Sequence, residues 1–129
     1  MWLSRRMSGG HDADSAAVAR VTMGGAELGV FREAEERRIP VFSPGGYVWQ
    51  PETGEELLVL RCGGETCAVG KETGEGPEGM LPGEVLIRSK GGASIFLRND
   101  GTIEIEGDVT VRGSAAIEGG LFIHGVPVE

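Results

Sequence analysis

Few residues in this chain are of a type and spacing that could do chemistry. Two cysteines lie in the run Arg61-Cys62-Gly63-Gly64-Glu65-Thr66-Cys67. With no third Cys and no His nearby, a four-ligand zinc site within one chain is not expected. The plain reading is two small apolar residues flanking a Gly-Gly hairpin turn and reduced in a cytoplasmic setting; a disulfide between them is the alternative. The two histidines, His11 and His124, stand 113 positions apart, so no Ser/His/Asp or Cys/His constellation can be argued. Glu104 and Glu106 fall on one side of a strand and suggest acid–base work, but alternation makes them the solvated face of a repeat. Gly24-Gly25 and Gly91-Gly92 do not precede a helical pattern, so they do not form a phosphate cradle. No catalytic residue and no cofactor site is expected, and the chain reads as a non-enzyme.

Composition points the same way. Glycine accounts for 23 of 129 residues, against a usual share of about 7%. Aromatics are scarce, with one Tyr, two Trp and four Phe. A conventional core is therefore small, and oligomerisation is an expected source of stability. Net charge is −8; after Lys71 there are four basic and ten acidic residues, so −6 of it lies in the distal part. Nucleic acid is excluded as a partner, because phosphate binding needs a basic footprint. No run reaches the ~18 apolar residues of a membrane span, and Met1–Gly10 lacks the apolar core of a signal peptide. Synthesis in the bacterial cytoplasm is the expectation.

The elements that position these residues divide the chain. Residues 1–17 are polar and aperiodic and read as a flexible arm, with Trp2 and Leu3 as an anchor at its start. Residues 18–71 carry short β-type runs separated by turn signals: Gly24-Gly25, Ser43-Pro44-Gly45-Gly46, Pro51-Glu52-Thr53-Gly54 and Gly63-Gly64. Phe31–Arg38 is a helical turn or a solvated strand edge, and Ile39–Phe42 is strand-like. Such spacing predicts a small all-β barrel or sandwich. Residues 72–83, rich in Gly and Pro, form a linker.

From residue 84 to 129 the pattern changes. Every charge between Glu84 and Glu118 occupies an even position, while the odd positions carry none. A period of two is the strand signature. After Gly101 the grain is six residues, aliphatic-x-aliphatic-x-Gly-x, as in Ile103-Glu104-Ile105-Glu106-Gly107-Asp108 and Val109-Thr110-Val111-Arg112-Gly113-Ser114. Four hexads cannot bury their own apolar row as a one-chain helix, so several chains must wind together. Three walls make a narrow prism that aliphatic side chains fill. The expected trimer core is Val85, Ile87, Ile95, Leu97, Ile103, Ile105, Val109, Val111, Ile117, Leu121 and Ile123. Phe122, Val126 and Val128 break the rule that even positions are polar. With His124 they form an apolar apex, read as a membrane-contacting end, a capping plug or a dock for a separate tip protein.

From about Ile39 to Glu129 the chain resembles the baseplate spike proteins of contractile-tailed bacteriophages, the Mu-like and P2-like baseplate assembly protein V group. The matching residues are Pro44-Gly45-Gly46-Tyr47, Pro51-Glu52-Thr53-Gly54-Glu55-Glu56-Leu57-Leu58-Val59-Leu60, Gly63-Gly64, Pro82-Gly83-Glu84-Val85 and Arg98-Asn99-Asp100-Gly101-Thr102-Ile103-Glu104-Ile105. The resemblance implies an OB-fold barrel followed by an intertwined triple-stranded β-helix in a homotrimer. It further implies docking to the tail tube, hub and baseplate proteins of a phage or tailocin particle, and contact with the target cell envelope. The segment before Ile39 is short for a full five-stranded OB barrel, so strands around Val18–Val30 must serve. Family tips often carry a His-x-His motif that binds iron; here only His124 is present, on an even position, so no apical metal is expected. A polymerising bactofilin-like β-helix shares the aliphatic-Gly alternation and is the alternative, although the repeat is short and follows a barrel-like segment. A hexapeptide acyltransferase would need many more coils.

Overall fold

The computed structural model describes residues 16–129, which form strands and turns with no helix. The arm's Trp2, Leu3 and His11 lie outside the described residues. Ala16 and Ala17, placed in the arm by composition, open the first strand. The chain forms two compact units, divided between Glu75 and Gly76.

The first unit is a curled five-stranded antiparallel sheet: β1 (Ala16–Met23), β2 (Gly29–Phe31), β3 (Glu35–Arg37), β4 (Glu56–Cys62) and β5 (Glu65–Lys71), in the order β3-β2-β1-β4-β5. Alternation in β1 turns Ala19 and Val21 inward and leaves Val18 and Arg20 outside. In β4, Leu57 and Val59 face in and Leu58 faces out. The pairing Ala19↔Leu57 and Ala17↔Val59 brings the inward sets together. Phe31–Arg38, left open between helix and strand, contains the charged edge strand β3. Charge along an open edge discourages pairing with other chains. The Gly63-Gly64 turn joins β4 to β5 with φ of +61° and +92°, the mirror-image turn that suits strand twist.

Ile39–Phe42 is less of a strand than its composition suggests, because it works as a strap. Ile39 N–H donates to Leu28 O at 3.0 Å, beside β2, while Ala68 N–H of β5 donates to Pro40 O and Phe42 N–H returns to Ala68 O. Val41 makes only an isolated parallel bridge to Ala68. The strap ties the β2 side to β5, and the sheet curls into a half-barrel. Ile39 plugs a core otherwise made of Ala19, Val21, Leu28, Val30, Leu57, Val59 and Ala68, with Ala17, Val41 and Trp49 packed against it. That core is small, as the few aromatics required.

The second unit begins with an antiparallel meander of β6 (Val85–Arg88), β7 (Ser94–Leu97) and β8 (Ile103–Glu106), and ends in a short hairpin of β9 (Phe122–Ile123) and β10 (Val126–Pro127).

Candidate assembly surface

Register gathers the odd positions of the meander. Val85 pairs with Leu97 and Leu97 with Ile103; Ile87 pairs with Ile95 and Ile95 with Ile105. Paired residues in a sheet point to the same side, so these six aliphatics form two cross-strand rows on one face. The opposite face carries Leu86, Phe96 and Glu104 in one row and Arg88, Ser94 and Glu106 in the other. Leu86 and Phe96 are partly covered, whereas all six residues of the odd face are exposed, from Leu97 at 39% to Ile103 at 63%.

A buried carboxylate ties together two turns at one end of the meander. The Glu84 side chain is only 2% exposed. Its Oε1 accepts from Leu81 N–H at 2.9 Å, and its Oε2 accepts from Asn99 N–H at 2.9 Å and from Arg98 Nε at 3.2 Å. Asn99 Nδ2 donates back to Pro82 O at 2.9 Å. The turn before β6 is thus clamped to the turn between β7 and β8. Arg98 also lies over the Phe96 ring, 4.6 Å from its centroid, and approaches Glu104 at 3.6 Å. Asp100 finishes the second turn by accepting from Thr102 N–H and Oγ. None of this clamp was singled out as functional by residue type; its only trace in the sequence is the pair of matching runs Pro82–Val85 and Arg98–Ile105.

The bonds from the Asn99 and Leu81 backbone N–H groups, and then the Arg98 guanidinium, hold the Glu84 carboxyl below its usual range against the opposing effect of burial. A depressed carboxylate contributes stability that is complete above its unfolded pKa and is lost as pH falls through the lower folded value. The clamp therefore loosens only in acid, at a pH below the ordinary Glu range. Amide shifts of Leu81 and Asn99 should move together with a midpoint under the ordinary Glu value. In Glu84→Gln that transition should vanish, leaving the separate one of Asp100, whose pKa is lowered chiefly by the Thr102 hydroxyl and backbone N–H.

Beyond β8 the chain continues without a partner strand. Among the described residues, 108–120 form no strand and make no backbone hydrogen bond to another part of the chain, and all are exposed. Yet the path is regular: the backbone bends at Gly107, Gly113 and Gly119, six residues apart. Gly107 and Gly113 adopt φ of +124° and +145°, a region that side-chain-bearing residues avoid. The hexad of the sequence is thus the spacing of its bends, with Val109, Val111 and Ile117 on the straight segments between them, each more than half exposed.

The terminal hairpin turns at His124 and Gly125, with φ of +52° and +79°. Ile123 pairs with Val126 and Phe122 with Pro127, and Val128 N–H donates to Leu121 O at 2.7 Å. His124 belongs to the turn itself rather than to either strand face. Gly125 and Val126 follow it, so the turn carries no His-x-His pair. Among the described residues no group of three or more His, Cys, Asp or Glu is placed to hold a metal. Cys62 ends β4, and Cys67 in β5 lies opposite Leu60.

The apolar odd-position residues from Val85 to Ile123 are each about half exposed. Summed along the chain, their exposed surface is on the order of 1,000 Å². That area matches the ~800 Å² each partner contributes to a standard interface. Comparison with protein-family models and with curated proteins returns no match for this chain.

Proposed function

We propose that the chain is the central spike of a contractile-tail baseplate, in a phage or a tailocin, assembled as a homotrimer and without catalytic activity. The observation that carries this reading is the uncovered aliphatic row, running from the meander through bends six residues apart, along a backbone with no partner of its own. Three such chains wound about one axis would bury the row and pair the free backbone groups between chains, leaving no open edge. The half-barrel would be the OB-like head that docks to the tube and hub, and its outward apolar residues Val18, Leu58 and Val69 are suited to such contact. The acidic even positions would form the outer wall of a needle driven through the target envelope when the sheath contracts.

Mass in solution tests the reading. The expected result is a stable particle of three times 13.6 kDa. Growing filaments would favour a bactofilin-like polymer, and a monomer at micromolar concentration would sink both. Cryo-electron microscopy of a tail particle carrying the tagged chain should then place it on the baseplate axis.

A further inference from the structure

The terminal hairpin explains why Val126 and Val128 depart from the alternation; Phe122, ahead of the turn, stays an apolar residue on the other face. Up to Ile123 the apolar face holds odd positions; beyond it the apolar residues are Val126 and Val128, which are even. A two-residue turn produces this exchange. Ile123 lies opposite Val126, and the Val128 N–H to Leu121 O bond sets Leu121 opposite Val128. Directly paired residues share a face, so Leu121, Ile123, Val126 and Val128 form one aliphatic surface. The other face holds Phe122 and Pro127, with the Phe122 ring folded over Gly120: a Cβ built there would lie 3.0 Å from it. The parity does not break down. It is reversed by the His124-Gly125 turn and then kept.

We infer that the hairpin is a self-made cap, in which the Leu121/Ile123/Val126/Val128 faces of three copies of this chain meet on the spike axis and close its apolar interior. This rests on the trimer reading and adds the occupant of the hairpin face. Three observations select a second and third copy over a foreign partner. The face continues the same row whose exposed area matches a standard interface. Among residues 121–128 the one titratable side chain, His124, sits in the turn, off that face. The hairpin returns the chain on itself, so each copy contributes two strands to the end of the prism where upstream it contributes one. The His124-Gly125 turn then lies at the far end of the hairpin, with Phe122 on its flank.

The test uses the full-length protein with Val126→Asp, the milder Val126→Ala, and Phe122→Asp as the control on the opposite face. A charge forced into an apolar junction of three chains has no partner. Val126→Asp should lower the trimer's melting midpoint by roughly 10 °C or more and strip amide-exchange protection from residues 115–128. Val126→Ala should do the same to a smaller degree, and Phe122→Asp should leave both unchanged. Equal effects of Val126→Asp and Phe122→Asp on a trimeric protein, or no effect of either, overturn the cap while leaving the trimer standing. Capture of the wild-type trimer by phosphatidylethanolamine/phosphatidylglycerol vesicles, abolished by Val126→Asp, would also overturn it, because the face would then be open to a membrane. A wild-type protein of monomer mass overturns the cap and the spike together.

Discussion

Ile105→Lys is expected to abolish the proposed trimer, and Glu104→Lys, one residue away, to leave it intact. The two positions lie on opposite faces of β8: Ile105 continues the row Ile87-Ile95, and Glu104 the row Leu86-Phe96. Within a single chain they are alike, with Ile105 55% exposed and the Glu104 side chain 57%. A lysine at either site would be solvated in a monomer and would cost little. The asymmetry therefore arises only from what covers the odd face. In a trimer of the Ile105→Lys variant, three ammonium groups would be buried near one another about the axis. Each would lack a counter-ion, and the several-kcal/mol desolvation penalty per charge would add to their repulsion. Glu104→Lys removes an ion pair with Arg98 that is open to water, worth up to about 1 kcal/mol. Sedimentation or mass photometry should find the Ile105 variant at 13.6 kDa and the Glu104 variant at three times that. Equal behaviour of the two would refute the assignment of the faces.

The parts of this architecture that were legible beforehand are those where period alone decides orientation. Strict parity from Glu84 to Glu118 separated an apolar face from a charged one, because a strand offers side chains only two directions. The hexad was legible because glycine is needed wherever the backbone bends at positive φ. Where parity depends on a turn, it was not readable. Val126 and Val128 looked like exceptions because a two-residue turn shifts register between strands. No count of apolar residues reveals that shift until His124 and Gly125 are known to be the turn. The strap Ile39–Phe42 departs from its strand-like composition for a related reason. Its composition is that of a strand, but its hydrogen bonds go to Leu28 and to β5 in turn, a tertiary arrangement with no local signature. Glu84 was hidden as well: in sequence it is one more charge on an even position, and only the fold brings Leu81, Arg98 and Asn99 around its carboxylate.

A second large effect is expected in the half-barrel. Leu57 is fully buried, paired with Ala19 across β1 and part of a core of eight buried residues among those described. Because most of its neighbours are Ala and Val on hydrogen-bonded strands, the cavity left by Leu57→Ala has little with which to collapse. The cost should lie in the range of about 2–5 kcal/mol for such truncations. A domain of this size holds only ~3–9 kcal/mol in all, at roughly 0.05–0.15 kcal/mol per residue, so the substitution removes a large part of the head's stability. Leu58→Ala, the adjacent residue on the outward face and 43% exposed, should change it by about 0.5 kcal/mol or less. Trp49 packs against the core, so its fluorescence reports urea unfolding of this unit in the full-length protein. Leu57→Ala should move the urea midpoint down sharply with the slope unchanged, while Leu58→Ala should overlay the wild type. Equal losses at the two positions would mean that the outward face is itself packed. In the trimer reading, that would put Val18, Leu58 and Val69 between copies of the head and leave the hub to bind elsewhere on it.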